Sequence, residues 1–293
     1  MFNILNLLKE NCLGSQDDFV REWQGHSDRV KDPKALGTYL RDNFLFLRRT
    51  RHDVGMELPK INTIVQVIGY DEEAVENEKE LLRSLAVAVT SGSFVERGAA
   101  SRELDLRMRH LTGISKAKYV AAYVKILLES GLSVMLAGWH RDVYEIWDKE
   151  LSEYNPAWYT GTETPKGKNE SKEAFEKGET KLLIISLRSG KGIDGWQNIC
   201  STIVHGELDW TPQVHKQIIG RVDRPGQTEP VTSIYLISDC GSDPVMVELL
   251  GLKASQAHNV IDPFAAVPEQ YSDDTRIKLM AQSILNKHEK KIA

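Results

Sequence analysis

Two arginines three residues apart, Arg221 and Arg224, stand in the segment QIIGRVDRPGQ at residues 217–227. If the helical pattern of QVHKQIIGRV continues through them, both guanidiniums project from one face, because residues three apart are neighbours on a helix. Two planar forks beside a glycine-marked turn suit recognition of a polyphosphate, since each fork can meet two phosphate oxygens at once. The competing use is structural. Arg221 could pair with Glu207 or Asp209, and Arg224 with Asp223 or Glu229. A second segment with chemical potential is ISLRSGKGIDGWQN, residues 185–198, where a strand-like run leads into a glycine-rich loop. Glycines there let the backbone approach a ligand closely.

Two further matches fail on geometry. GKGIDG, residues 190–195, fits GxGxxG literally, but only WQNIC separates Gly195 from the next strand, STIVHG. That leaves no room for the helix whose N-terminus must hold a dinucleotide's pyrophosphate. GTETPKGKN, residues 161–169, has one residue too many before GK and ends in Asn169 where a phosphate loop needs Ser or Thr. Neither a phosphate loop nor an acidic DExH-type pair occurs in the sequence.

The elements that must position these residues follow from periodicity. Residues 1–60 read as helices joined by polar turns, ending at Pro59, and INTIVQVIG follows as a β-branched strand. DEEAVENEKELLRSLAVAV is an amphipathic helix, SGSF interrupts it, and a shorter helix lies near LDLRMRHL. From residue 114 strands and helices alternate: KAKYVAAYVKILLES, SVMLAGW, RDVYEIWDKELSEY, AWYTG, KNESKEAFEKG, KLLIIS, STIVHG, QVHKQIIGRV and TSIYLIS. Repeated βαβ units predict a parallel sheet covered on both faces, with ligands beyond the carboxyl ends of its strands. The last stretch, DTRIKLMAQSILNKHEKKIA, reads as a basic amphipathic helix, for which packing back on the body is the default and docking elsewhere the alternative.

Composition narrows the classes. A formal net charge of −5 argues against nonspecific coating of nucleic acid, although a local basic groove depends on placement and not on the sum. Three cysteines, Cys12, Cys200 and Cys240, without a CxxC pair, exclude a disulfide scaffold or structural zinc site as the organising principle. The N-terminus lacks the pattern of a signal peptide, and no run approaches the ~20 apolar residues of a membrane span. The expectation is a cytoplasmic chain that does not engage a membrane.

QIIGRVDRPGQ resembles the last helicase signature of superfamily-two ATPases, and the trailing RPGQ resembles the Swi/Snf branch in particular. Asp223 stands where that branch usually has histidine, and Pro225 where it has isoleucine. LDWTPQ (208–213), ISLRSGKGIDGWQN (185–198), YTGTET (159–164) and VMLAGWHRDV (134–143) resemble the preceding signatures in order. FLRRTRHDVGMELPK, residues 46–60, is similar to the linker joining the two lobes of such motors. The resemblance reaches to about residue 250 and implies an α/β fold: a RecA-like parallel sheet, the helicase C-terminal lobe, with an N-terminal helical extension.

By that resemblance, residues 1–62 end the first lobe and hold the linker, 63–113 form a helical protrusion, 114–255 the RecA-like lobe, and 256–293 a tail with the basic helix. The resemblance assigns Arg221 and Arg224 as catalytic arginine fingers. Gly192, Asp194 and Gln217 would face the nucleotide. Trp139, His140, Gly161, Thr162, Ser186 and Arg188 would contact DNA. The implied partners are duplex DNA and a first helicase lobe, in a separate chain or in a full-length protein. ATP with Mg2+ would be bound mainly by that first lobe. The implied activity is ATP-driven tracking along duplex DNA; the alternative is a DNA- or protein-binding regulatory module without catalysis.

Overall fold

The computed structural model describes residues 2–25, 30–47, 49, 55, 58–188, 195–248, 250 and 273–292, with side chains of the last helix described at 277–286. The described residues fall into two compact units, one N-terminal to Leu58 and one comprising Leu58–Leu250 with the C-terminal helix.

The first unit holds three helices, α1 (Phe2–Leu8), α2 (Gln16–Glu22) and α3 (Pro33–Asp42). Ser15 and Asp18 cap α2 reciprocally, each side chain accepting the other's backbone N–H, which satisfies two donors that a helix start leaves open. Asp32 caps α3 with Pro33 in its first turn, where a missing N–H costs nothing. Leu5, Cys12, Leu13, Leu36 and Leu40 form this unit's core. Most of the segment read as an inter-lobe linker, 46–60, lies outside the described residues.

The second unit is built on six parallel strands: β1 (Ile61–Val67), β2 (Val134–Gly138), β3 (Ala157–Tyr159), β4 (Leu182–Ser186), β5 (Thr202–His205) and β6 (Val231–Ile237). Their order is β1-β6-β5-β2-β4-β3, every neighbouring pair parallel. The helices are α4 (Glu72–Ser91), α5 (Phe94–Glu129), α6 (Arg141–Leu151), α7 (Pro165–Glu176), α8 (Pro212–Ile219), α9 (243–248) and α10 (Asp273–Ile292). The parallel sheet expected from the alternating pattern is present, as is the RecA-like lobe that the resemblance implies.

Alternation along each strand divides the core. Val134, Leu136, Leu182, Ile184, Val204 and Ile234 meet Ala117, Val120 and Val124 of α5 and Val143, Trp147 and Leu151 of α6. Met135, Ala137, Leu183, Ile185 and Ile203 face the other way, onto Phe175, Trp196, Ile218 and Val222. Burial on both faces explains why β2 and β4 read as unbroken apolar runs. Trp147 is fully buried, and a Cβ on Gly138 or Gly206 would lie 2.5 or 2.6 Å from its ring. Those glycines keep the carboxyl ends of β2 and β5 open to the indole.

Three elements differ from the sequence reading. The helices expected near LDLRMRHL and KAKYVAAYVKILLES are one 36-residue helix, α5, running through the boundary placed at residue 113. Apolar side chains on both sides of Gly113 are buried in register, so nothing breaks the helix there. INTIVQV is the strand expected there, and what differs is its place: it is an edge strand of the same sheet, paired along its whole length with β6. The helix expected over QVHKQIIGRV stops at Ile219, where the Gly220 N–H closes back on Lys216.

Charge also fastens α5. Lys116 Nζ donates to Leu236 O at 2.8 Å and to Asp243 Oδ2 at 2.7 Å, with both side chains at most 2% exposed. Asp243 also accepts the Ser238 N–H at 2.9 Å, so the pair locks α5 to the end of β6 and to α9. α10 packs on α4 and α5, with Met280 and Ala281 buried.

Candidate nucleic-acid and nucleotide interface

The carboxyl ends of β2, β4 and β5 converge on two buried carboxylates that follow β5. Glu207 is 4% exposed. Its Oε2 accepts the Trp139 N–H at 2.6 Å and the His140 N–H at 3.0 Å, while Oε1 meets His140 Nδ1 at 2.6 Å. One carboxylate therefore fixes the turn where β2 gives way to α6. The approach is so close to α5 that a Cβ on Gly113 would collide with Glu207 Oε1.

Asp209, 1% exposed, fixes the next loop. Its Oδ1 accepts the Thr211 N–H at 2.8 Å at the start of α8, and its Oδ2 accepts from Arg188 Nη2 at 2.9 Å. Burial pushes the carboxyl's pKa up, but the Thr211 N–H and the charges of Arg188 and Arg109 outweigh it and hold the group below its ordinary value. Arg188 is the open member of the pair, its side chain 56% exposed. Its guanidinium lies 5.0 Å from the centre of the Trp139 ring, a cation–π distance. Trp139 is itself 37% exposed. Arg188 and Trp139 thus make a flat cationic surface on the carboxyl side of the sheet, held from behind by Asp209 and Glu207.

Behind this surface is a sealed histidine pair. His205 Nδ1 and His215 Nδ1 are 3.3 Å apart, His205 Nε2 meets Ser233 Oγ at 3.1 Å, and Tyr235 stacks on His205. Burial depresses both imidazole pKa values, and for His205 the neighbouring His215 adds to the effect. Both shifts favour the neutral rings, and the pair ties α8 to β5 and β6.

Arg221 and Arg224 stand in the turn after α8, so their proximity does not come from a shared helical face. Arg221 is 9% exposed; burial, with the nearby charge of Arg224, lowers its pKa, and the Tyr159 side chain at the end of β3 partly opposes the shift. Arg224 Nε donates to Gly220 O at 2.7 Å. The turn is set by Gly226, whose φ of +98° a side chain would strain. Gln227 Nε2 donates to Cys200 O at 3.0 Å and Val222 O at 3.2 Å, pinning the end of RPGQ. The two carboxylates that the sequence offered to Arg221 are engaged elsewhere: Glu207 holds His140, and Asp209 holds Arg188.

The remaining expected residues are dispersed. Gly161 and Thr162 lie exposed after β3, where the Thr162 hydroxyl donates to Glu163 Oε1 at 2.8 Å. Ser186, expected to face DNA, is instead buried, its hydroxyl accepting the Arg188 N–H at 3.4 Å. Gln217 is exposed on α8. Gly192 and Asp194 lie outside the described residues. Sequence reasoning missed Arg109, Asp105 and Gly113 of α5 and gave Glu207 and Asp209 only as structural partners. Trp210 Nε1 donates to Asp105 Oδ1 at 2.7 Å, so α5 is a wall of the site as well as a scaffold. The available signal was GELDW, two carboxylates directly after an apolar strand.

No family model matches the chain. A SWI/SNF-related matrix-associated actin-dependent regulator of chromatin subfamily A-like protein 1 from Drosophila melanogaster is 27% identical over 252 residues, covering 85% of this chain and 32% of that protein. An uncharacterized ATP-dependent helicase, YqhH, of Bacillus subtilis is 23% identical over 266 residues, covering 79% of this chain and 46% of that protein. Among solved structures, the C-terminal part of the Fun30 ATPase domain superposes with a TM-score of 0.57 at 12% identity, covering 80% of this chain and 99% of that one. The chain has the fold of these C-terminal helicase lobes and is similar in sequence to helicase proteins of the Swi/Snf type. The Sulfolobus solfataricus SWI2/SNF2 ATPase core in complex with double-stranded DNA also gives a TM-score of 0.57, at 20% identity, covering 97% of this chain and 62% of that one. The chain spans less than half the length of these curated relatives.

Proposed function

We propose that this lobe is the second half of an ATP-dependent DNA motor, and that its carboxyl edge serves two ligands. Trp139 and Arg188 would meet the phosphate backbone of duplex DNA, a contact that positions the duplex without reading sequence. Arg221 and Arg224 would reach the γ-phosphate of ATP held by a first lobe and neutralise charge developing in the transition state. The observation that carries the reading is the Arg188–Trp139 surface at the carboxyl ends of β2 and β4, in a fold whose signatures occur in the family's order.

ATP and magnesium enter through the first lobe. Among the described residues, no group of three or more His, Cys, Asp or Glu side chains could hold a metal ion. The sequence has no phosphate loop. This chain's share of the chemistry is therefore positive charge at the transferred phosphoryl group, and no step here is routed through the metal. No helix of the described residues is long and apolar enough to cross a membrane.

The test is ATP turnover with duplex DNA, by this chain alone and mixed with a first lobe carrying a phosphate loop. Turnover is expected only in the mixture, and Arg221→Ala or Arg224→Ala should lower it by about 10³-fold or more. DNA binding that persists without turnover in any mixture would replace the motor with a binding module.

A further inference from the structure

Asp209 Oδ2 faces two guanidiniums and is bonded to one. Arg188 Nη2 donates to it at 2.9 Å, and Arg109 Nη2, from α5, waits 3.8 Å from the same oxygen. The two cations differ in surroundings. The Arg188 side chain is 56% exposed and that of Arg109 only 12%. The Arg109 Nε and Nη2 atoms are buried without a hydrogen-bond partner. Oδ1 is occupied by the Thr211 N–H, so the competition is for one oxygen.

We propose that Arg109 is a positioning residue for Arg188: when a backbone phosphate draws Arg188 outward, Arg109 closes on Asp209 Oδ2. The inference rests on the duplex-DNA reading above. A buried carboxylate strongly resists losing its counter-charge, which would otherwise hold Arg188 in place against a ligand. Arg109 removes that resistance, since it is already charged, already desolvated and short of an acceptor. The exchange costs Asp209 nothing in charge and gives the Arg109 Nη2 the hydrogen bond it lacks. Because Arg109 belongs to the long helix α5, DNA contact at the sheet edge would also be felt by the α4–α5 pair.

Two measurements test it, one of them independent of DNA. In a structure of Arg188→Gln, an exposed position where the fold should tolerate change, the Arg109–Asp209 separation should contract to a hydrogen bond of about 3 Å. A separation still near 3.8 Å would overturn the proposal. Second, duplex-DNA affinity of the full chain is followed by fluorescence anisotropy. Arg109→Gln should weaken it about five- to tenfold by tightening the hold of Asp209 on Arg188, while Arg109→Lys, which keeps the charge, stays within about twofold. In an Asp209→Asn background the Arg109→Gln effect should vanish. An equal loss in both backgrounds would mean a structural role only and overturn the exchange while leaving the motor reading intact. No DNA affinity in the wild-type chain would overturn the DNA reading and, with it, phosphate as the trigger.

Discussion

The lobe contains two ion pairs with nearly the same chemistry and opposite designs. Lys116–Asp243 is sealed, with both side chains at most 2% exposed and a backbone carbonyl taking a second ammonium proton. Arg188–Asp209 buries only its carboxylate, and its cation is 56% exposed on an aromatic surface. A sealed pair can do nothing but hold α5, β6 and α9 together. A pair whose cation faces water can trade its partner for another anion. The difference between fastening and binding therefore lies in which member is exposed, not in the residue types.

Breaking the sealed pair should have the largest effect on folding. Lys116→Met leaves Asp243 buried and uncompensated, and urea unfolding should show a loss of about 3–5 kcal/mol. A loss under ~1 kcal/mol would mean the pair is not the fastener described. Asp209→Asn comes next, at about 1–3 kcal/mol, because it withdraws charge from Arg109, which cannot reach water as Arg188 can. Chemical denaturation at neutral pH reads this directly, and a stability equal to wild type would contradict the buried position of Arg109.

Acid should probe the interior behind the open pair. His205 and His215 have depressed pKa values in the folded lobe, so the unfolded chain binds more protons as pH falls. Their contribution to stability is complete above the unfolded value of ~6.5 and is lost as pH falls from there through each group's lower folded value. Denaturation curves at pH 7.5 and 5.5 should differ accordingly, and His205→Asn should reduce the difference. The Asp209 carboxyl acts in a lower window: its contribution is complete above ~3.9 and disappears as pH falls through its lower folded value. The smallest effect on stability belongs to Arg188→Gln, under about 1 kcal/mol, because its charge is already solvated. Its consequence should appear in binding.

Much of the fold was legible because strand and helix periods alternate cleanly after residue 130, and the fully buried strands β2 and β4 announce themselves as apolar runs. The continuity of α5 was not. Gly113 and the polar residues around it look like a break, yet that glycine is there because Glu207, far along the chain, presses against the helix. The site was half legible. Trp139, His140 and Arg188 all carry motif signals and lie at the carboxyl ends of β2 and β4, but Arg109 carries no local signature. Its role depends on a contact across 100 positions of sequence, which periodicity cannot reveal. Ser186 shows the converse: its motif position suggests a ligand contact, while it lies buried at the end of a strand covered on both faces.

The most direct measurement is the salt dependence of duplex-DNA affinity for the full chain, from ~50 to 200 mM, with wild type, Arg188→Gln and Lys116→Met compared at equal folded fraction. The wild-type affinity should fall with salt, Arg188→Gln should flatten the log–log slope by about one, and Lys116→Met should leave the slope unchanged. A slope identical in wild type and Arg188→Gln, or a change of equal size in Lys116→Met, would contradict the assignment of the open pair to DNA.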